Sequence, residues 1–223
     1  MNALASTRKA SGPPSGQVSA AVEVLKQGGV VAVPTDTLYG LAANALNEVA
    51  VRRVFAVKGR PEGMALPVLI ADTEDLAKFA VDVPEAAWKL ARRFWPGPLT
   101  LVLRKADVIP SIVTGGADTV GLRVPAADLV RQIVRELGAP VTGTSANRTG
   151  KPGLTTADDV MAELGGLVDL VLDIGPITSD YQGAASTIID MLSQPPLILR
   201  EGPVSTEDIG EQCGVAVVKF AGA

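Results

Sequence analysis

Apolar positions along the chain fall into alternating helical and strand-like patterns. Val18, Ala21, Val22 and Leu25 recur at helical spacing, and Gly28-Gly29 supplies a stop. Val30–Val33 reads as a short, fully buried strand, followed by the polar turn Pro34–Tyr39. Asn47 is placed to cap a helix running to about Val57, with Val51, Val54 and Phe55 facing inward; Lys58-Gly59-Arg60-Pro61 ends it. Pro67–Ala71 reads as a strand. Asp72 caps Thr73–Phe79, and Pro84 opens a helix through Phe94. Trp95-Pro96-Gly97-Pro98 is a rigid turn before the strand Leu99–Leu103. Thr119–Val124 is a further strand, and Ala126–Leu137 is an amphipathic helix closed by Gly138. Pro140–Thr142 is a buried strand leading into Ser145-Ala146-Asn147. Thr155–Leu164 reads as a helix, and Val168–Leu172, Ser186–Asp190 and Leu197–Leu199 as strands. Ser205 caps a last helix before a last strand, Val215–Val218.

This alternation, without internal repeat or low-complexity linker after residue 16, predicts one α/β domain over residues 17–223: a twisted, open, mixed β-sheet flanked by helices. Met1–Gly16, small and polar with Arg8, Lys9 and two prolines, reads as a disordered arm lacking the apolar stretch of a signal peptide. Gly and Pro around residues 110–116 and 175–184 mark longer loops suited to covering a site.

Composition narrows the chemistry. Hydrophobic residues make up 47% of the 223, enough for a packed core. A net charge of −4 gives no global attraction to nucleic acid, although a local basic groove is compatible with it. The single cysteine, Cys213, excludes an intrachain disulfide and a Cys-based zinc site and reads as an inert thiol. No apolar run approaches the ~20 residues of a membrane span. With no secretory segment visible, a cytoplasmic protein without membrane contact is expected. Histidine is absent, which removes the commonest general base and metal ligand and excludes Ser-His-Asp and Cys-His catalysis.

Polar clusters stand at or just after the apolar runs, where open α/β sheets bind ligands. They are Pro34-Thr35-Asp36-Thr37 with Tyr39 beside it, Lys58-Gly59-Arg60, Arg123, Ser145-Ala146-Asn147, Ser186-Thr187 and Arg200. Each also has a structural account. Thr35 and Asp36 suit a strand-to-helix turn, and Lys58 and Arg60 suit a helix C-terminus. Arg123 and Arg200 suit an exposed sheet edge, Ser145 and Asn147 a helix cap, and Ser186-Thr187 a strand start. Together, four cations and a row of hydroxyls suit a substrate with several negative charges. Ser145–Pro152 fails as a P-loop, with Ser in place of the first Gly and Pro where Ser or Thr should hold magnesium; no G-x-G-x-x-G occurs.

Taken in order, PTDTLYGLAANA (34–45), KGRP (58–61), FWPGPLTLVL (94–103), VGLRVP (120–125), TSANRTGKP (144–152), STIID (186–190) and LREGPV (199–204) resemble the YrdC/Sua5 family. The resemblance covers roughly residues 18–205 and implies a YrdC-like fold of the short, single-domain type. It implies synthesis of L-threonylcarbamoyladenylate and pyrophosphate from L-threonine, bicarbonate and ATP, with Mg2+. A partner complex would then transfer the threonylcarbamoyl group to tRNA in t6A modification, which leaves tRNA or double-stranded RNA as a further contact. By the same resemblance, Lys58 and Arg60 are the catalytic cations near phosphates and carbamate. Thr37, Arg123 and Ser186 contact threonine. Thr119, Ser145, Asn147 and Arg200 join Lys58 and Arg60 at the nucleotide, and no residue is a metal ligand. The chain departs from the family pattern at Met64-Ala65, where a polar or cationic residue and Pro often stand, and at Leu69, where histidine often stands.

The implied chemistry tolerates the missing histidine. The carbamate of threonine attacks the α-phosphorus as an anion, so positioning and charge neutralisation suffice. Two alternatives remain: an RNA-binding, translation-associated module without ATP turnover, marked by strong salt dependence, and a carbamoyl-transfer domain acting on another acceptor. The latter's relatives carry zinc-finger segments for which this chain has no cysteine set.

Overall fold

Residues 6–214 and 216–219 are described by a computed structural model. The chain opens with β1 (Arg8–Ala10), α1 (Pro14–Lys26), β2 (Val31–Pro34), β3 (Tyr39–Ala42) and α2 (Glu48–Lys58). Then come β4 (Val68–Leu69), a 3-10 turn (Thr73–Asp75), α3 (Leu76–Phe79), α4 (Glu85–Phe94), β5 (Leu99–Arg104) and α5 (Ser111–Thr114). The middle holds β6 (Thr119–Arg123), α6 (Asp128–Leu137), β7 (Val141–Thr142), β8 (Thr144–Ser145) and α7 (Ala157–Leu164). The last elements are β9 (Leu170–Leu172), β10 (Thr187–Asp190), β11 (Leu197–Arg200), α8 (Thr206–Cys213) and β12 (Val218–Lys219).

The mixed α/β class is as expected, but the strands form two sheets where one was predicted. Five strands pair in the order β1-β9-β2-β3-β8 and seven in the order β12-β11-β10-β5-β6-β4-β7, both with parallel and antiparallel neighbours. The sheets meet where β7 passes into β8 through Gly143. The Gly143 N–H donates to Pro67 O at 2.7 Å, and a Cβ there would lie 2.7 Å from Leu69 Cγ and Cδ2. Only glycine lets the chain cross between the sheets this closely.

The pleat explains the buried runs. Val31 and Val33 enter one apolar cluster with α1 and α6, while Ala32 between them enters the other with α2, α4, α7 and α8. Leu170, Val171 and Leu172 divide in the same way. Strands buried on both faces read as continuous apolar segments. Helix ends follow the expected caps: Asn47 Oδ1 accepts from Val49 N and Ala50 N, Ser205 Oγ accepts from Asp208 N, and Gly138 (φ 71°) closes α6.

Several expectations are corrected. The N-terminal arm is a strand over Arg8–Ala10, parallel to β9, and α1 begins at Pro14; Lys9 pairs with Asp158 and Asp173. Residues 1–5 lie outside the described ones. The turn after β2 leads into an antiparallel strand, so Pro34–Tyr39 closes a hairpin. Ser145-Ala146-Asn147 caps no helix: α7 starts twelve residues after Ser145 and is capped by Thr156, whose hydroxyl accepts from Asp159 N. The last strand is Val218–Lys219, and Val215 lies outside the described residues. Among the described residues no helix is long and apolar enough to cross a membrane.

The crossing yields a test of the packing. Gly143→Ala forces Leu69 from its buried position and is expected to destabilise the domain by about 1–3 kcal/mol, read as a lower urea midpoint. An unchanged midpoint would show that this approach is not tight.

Candidate functional site

At the junction of the sheets lies a cleft of about 380 Å³. Its floor is a row of residues running across the seven-stranded sheet. Leu69 on β4 pairs with Arg123 on β6, and Thr100 on β5 pairs with Ile188 on β10, which pairs with Arg200 on β11. All five line the cleft. The facing wall comes from the β2–β3 turn, from β8 and from the segment after it, while the end of α2 supplies Lys58 and Arg60.

The β2–β3 turn is held by its own hydroxyl. Thr35 Oγ1 donates to Leu38 O at 2.7 Å and accepts the N–H of Thr37 and of Leu38, both at 3.2 Å. This wraps Asp36 inward. Arg123, 6% exposed, donates to Asp36 Oδ1 at 2.5 Å, to Thr37 Oγ1 at 3.3 Å and to Gly97 O at 2.9 Å. The Trp95–Pro98 turn thus supplies a carbonyl that aims Arg123, besides burying Trp95, whose indole donates to Leu99 O. Burial lowers the Arg123 pKa against the Asp36 charge, which raises it. The guanidinium stays charged because Asp36 accompanies it. Edge exposure does not describe Arg123.

Lys58, the last residue of α2, turns away from the helix axis. Gly59 adopts φ 59° and ends the helix, and Lys58 Nζ reaches Ser145 O at 2.6 Å and Asn147 O at 2.8 Å. Burial and then the Arg60 charge push its pKa down to about 8. Two of its three N–H bonds are taken, leaving one for a ligand. Arg60 is half-buried, and its Nε contacts Met64 Sδ at 3.2 Å. The backbone amides of Ala146 and Asn147 bond to Tyr39 O and Ser145 O, so this segment offers carbonyls to Lys58 and not free N–H groups to an anion. Asn147 Nδ2 bonds Arg148 O and Lys151 O, and its buried Oδ1 has no partner.

Arg200 donates to Ser186 O at 2.9 Å and to Ser186 Oγ at 3.0 Å, and Ser186 Oγ lies 3.0 Å from Thr100 Oγ1. Desolvation, then the nearby Arg123 charge, lowers the Arg200 pKa, although part of its surface stays open to solvent. The cleft therefore gathers Thr37, Lys58, Arg60, Arg123, Ser145, Asn147, Ser186 and Arg200.

Thr119 does not line it. It starts β6 opposite Arg104, on the face of Arg123 but four residues back, about 13 Å at strand rise. Tyr39 is structural, its hydroxyl donating to Leu172 O at 3.1 Å. Thr187 bonds Val204 O and leaves the cleft to Ser186. Sequence reasoning missed Thr100 and Ile188. The signal for Thr100 was a lone hydroxyl inside the apolar run Leu99–Leu103.

Four cations and no carboxylate line the cleft, and of the four only Arg123 has a carboxylate partner among the described residues. No group of three or more His, Cys, Asp or Glu that could hold a metal ion occurs among the described residues. The donor set does not fit a protein-held magnesium ion. It fits a multiply charged anion.

A family model described as telomere recombination (Sua5/YciO/YrdC) matches residues 23–202. The chain is 42% identical over 198 residues to a Pyrococcus abyssi protein named threonylcarbamoyl-AMP synthase, an alignment covering 89% of this chain and 57% of that one. It is 40% identical over 194 residues to the protein of that name in Bacillus subtilis, covering 86% and 55%. It thus spans little more than half the length of either relative. The crystal structure of P. abyssi Sua5 complexed with L-threonine superposes with a TM-score of 0.87 at 39% identity, covering 95% of this chain and 61% of that one.

The buried pair makes a stability prediction. Asp36→Leu strands the Arg123 charge and is expected to cost about 3–5 kcal/mol, whereas Asp36→Leu with Arg123→Met is expected to cost much less than the sum of the two single changes. Urea melts of the four proteins check this; additive losses would mean that the two side chains are not coupled.

Proposed function

The chain belongs to the Sua5/YciO/YrdC family, and we propose that it is an L-threonylcarbamoyl-AMP synthase. In this reading it is a nucleotidyltransferase joining L-threonine, bicarbonate and ATP, with release of pyrophosphate. The observation that carries the reading is the charge of the cleft: Lys58, Arg60 and Arg200 face it without a carboxylate partner, beside an Arg123 already matched by Asp36. A polyphosphate supplies the missing negative charge. The relatives' shared name and the L-threonine complex of P. abyssi Sua5 support the choice of co-substrate.

Threonine's neutral amine and bicarbonate condense to a carbamate: the C–N bond forms, the C–OH bond of bicarbonate breaks, and the hydroxide leaves as water with one amine proton. A carbamate oxygen attacks the α-phosphorus of ATP, the bond to the β-phosphate oxygen breaks, and pyrophosphate leaves with that electron pair. The attacking oxygen is already an anion, so no side chain must remove a proton at this step. The chain's residues position and neutralise. Lys58 and Arg60 stabilise charge on the transferring phosphoryl group. Arg123, oriented by Asp36, Thr37 and Gly97 O, takes the threonine carboxylate, with Thr37 and Ser186 beside it. Arg200, Ser145 and Asn147 border the nucleotide. Magnesium enters as part of the Mg-ATP substrate, since the cleft provides no carboxylate to hold it. The product passes to threonylcarbamoyl-transfer proteins acting on tRNA.

Two measurements test this. Lys58→Ala and Arg60→Ala are each expected to reduce threonine- and bicarbonate-dependent pyrophosphate release by at least 100-fold, on the order of removing one transition-state donor, with the melting temperature retained in Arg60→Ala and lowered in Lys58→Ala, which strands the carbonyls of Ser145 and Asn147. Near-normal turnover in either folded variant would refute its role. The Lys58 ammonium is present below its pKa of about 8 and lost above it. For wild type, kcat/KM for ATP, which reports the free enzyme, is expected to fall as pH rises through about 8. A flat profile to pH 10 would remove Lys58 from the mechanism.

A further inference from the structure

The Arg60 side chain has one acceptor among the described residues, and it is a sulfur atom: Nε donates to Met64 Sδ at 3.2 Å. The nearest acidic residue in sequence does not compete, because Glu62 pairs with Arg52 at 2.8 Å. Met64 lines the cleft and is 46% exposed, so small solutes reach it. Its backbone is fixed. Leu66 N–H donates to Val113 O at 2.8 Å, and a Cβ on Gly115 would collide with Gly63 O, so residues 63–66 are seated on α5 and the turn after it. The other sulfur atoms of the described residues are placed differently. Met191 and Cys213 are buried, and Met161 is half-buried against the core. Burial also raises the Cys213 pKa, which keeps it from the reactive thiolate form.

Resting on the reading that Arg60 meets the phosphates, we propose that Met64 is a reversible oxidation site that sets the affinity of the cleft for ATP. A peroxide supplies the oxygen. The sulfur lone pair attacks one peroxide oxygen and the O–O bond breaks. The leaving oxygen takes up the proton and departs as water, or as an alcohol from an alkyl peroxide. Sulfur loses two electrons and the peroxide gains them. The change replaces a weak acceptor with a strong one, since a thioether accepts poorly and a sulfoxide oxygen carries partial negative charge. Two consequences have the same sign. The new oxygen holds the Arg60 guanidinium by a charge-assisted hydrogen bond that a phosphate must displace. It also brings negative charge into a cleft lined by four cations and no carboxylate. Oxidised protein therefore binds ATP less tightly. A thiol-dependent reductase reverses the step: two thiols become a disulfide, the sulfoxide oxygen leaves as water, and the thioether returns.

The test treats the full chain with hydrogen peroxide, assigns each added oxygen to a methionine by peptide mass, and follows the Kd for Mg-ATP by calorimetry. Met64 is expected to oxidise ahead of Met161 and Met191. The Kd is expected to rise about 10-fold in step with Met64 sulfoxide, on the order of one hydrogen bond to a charged group. Methionine sulfoxide reductases acting on both sulfoxide epimers, with dithiothreitol, restore the original Kd; dithiothreitol alone does not. Met64→Leu, compared with its own untreated sample, keeps its Kd through the same treatment. Met64 sulfoxide with an unchanged Kd overturns the proposal. So does a rise that is as large in Met64→Leu, a rise that dithiothreitol alone reverses, or a Met64 that oxidises no faster than Met161. The wild-type arms decide the matter even if that variant does not fold. Threonine-dependent pyrophosphate release from untreated protein reports the synthase reading separately. Its absence overturns that reading alone, and the Kd values still judge Met64. Untreated protein that binds no ATP overturns both.

Discussion

The Arg123–Asp36 pair fixes the geometry on which the rest of the cleft depends. Asp36 belongs to the hairpin of the five-stranded sheet, and Arg123 ends a strand of the seven-stranded one. Taking both charges out of water is costly, and the cost is offset only while each is paired and bonded. The guanidinium meets this condition through Asp36, Thr37 and Gly97 O together. A shift of one sheet against the other would break at least one of these bonds and leave a buried charge exposed to an apolar surround. The pair therefore holds the sheets in register at the point where the cleft opens.

Lys58 does the same on the opposite wall. Its ammonium ties the end of α2 to the carbonyls of Ser145 and Asn147, and Thr149 N returns a bond to Lys58 O at 3.1 Å. Cation positions are thus set before a ligand binds. Such preorganisation is what lets fixed charges stabilise developing charge without the cost of reorienting solvent. In the proposed reaction the same cations receive a nucleophile that arrives as an anion, which needs positive charge around it more than it needs a histidine base.

The elements most legible in the sequence were those whose local signals agreed with their burial. Asn47, Ser205 and Gly138 announced helix ends because capping is decided by the residue's own atoms and its near neighbours. β2 and β9 were legible as apolar runs because both faces are covered. β8 was not, since Thr144-Ser145 is two polar residues made a strand by pairing with Gly40 and Leu41 far along the chain. β1 was hidden likewise, Arg8-Lys9-Ala10 being held by β9 and by Asp158 and Asp173. Among the site residues, the motif order marked the cations and hydroxyls, while Thr100 and Ile188 looked like any strand interior.

By itself the sequence determined the longer helices, several strands of the core though not β3, and which side chains were chemically equipped to meet an anion, because those properties are carried by short segments and by residue type. It did not determine that there are two sheets, that Thr119 stands about 13 Å from Arg123 along one strand, or that Arg123 is neutralised by Asp36. Those were decided by long-range strand pairing. Register sets which residues of distant segments share a row, and a row such as Leu69, Arg123, Thr100, Ile188 and Arg200 exists only once β4, β6, β5, β10 and β11 have come together.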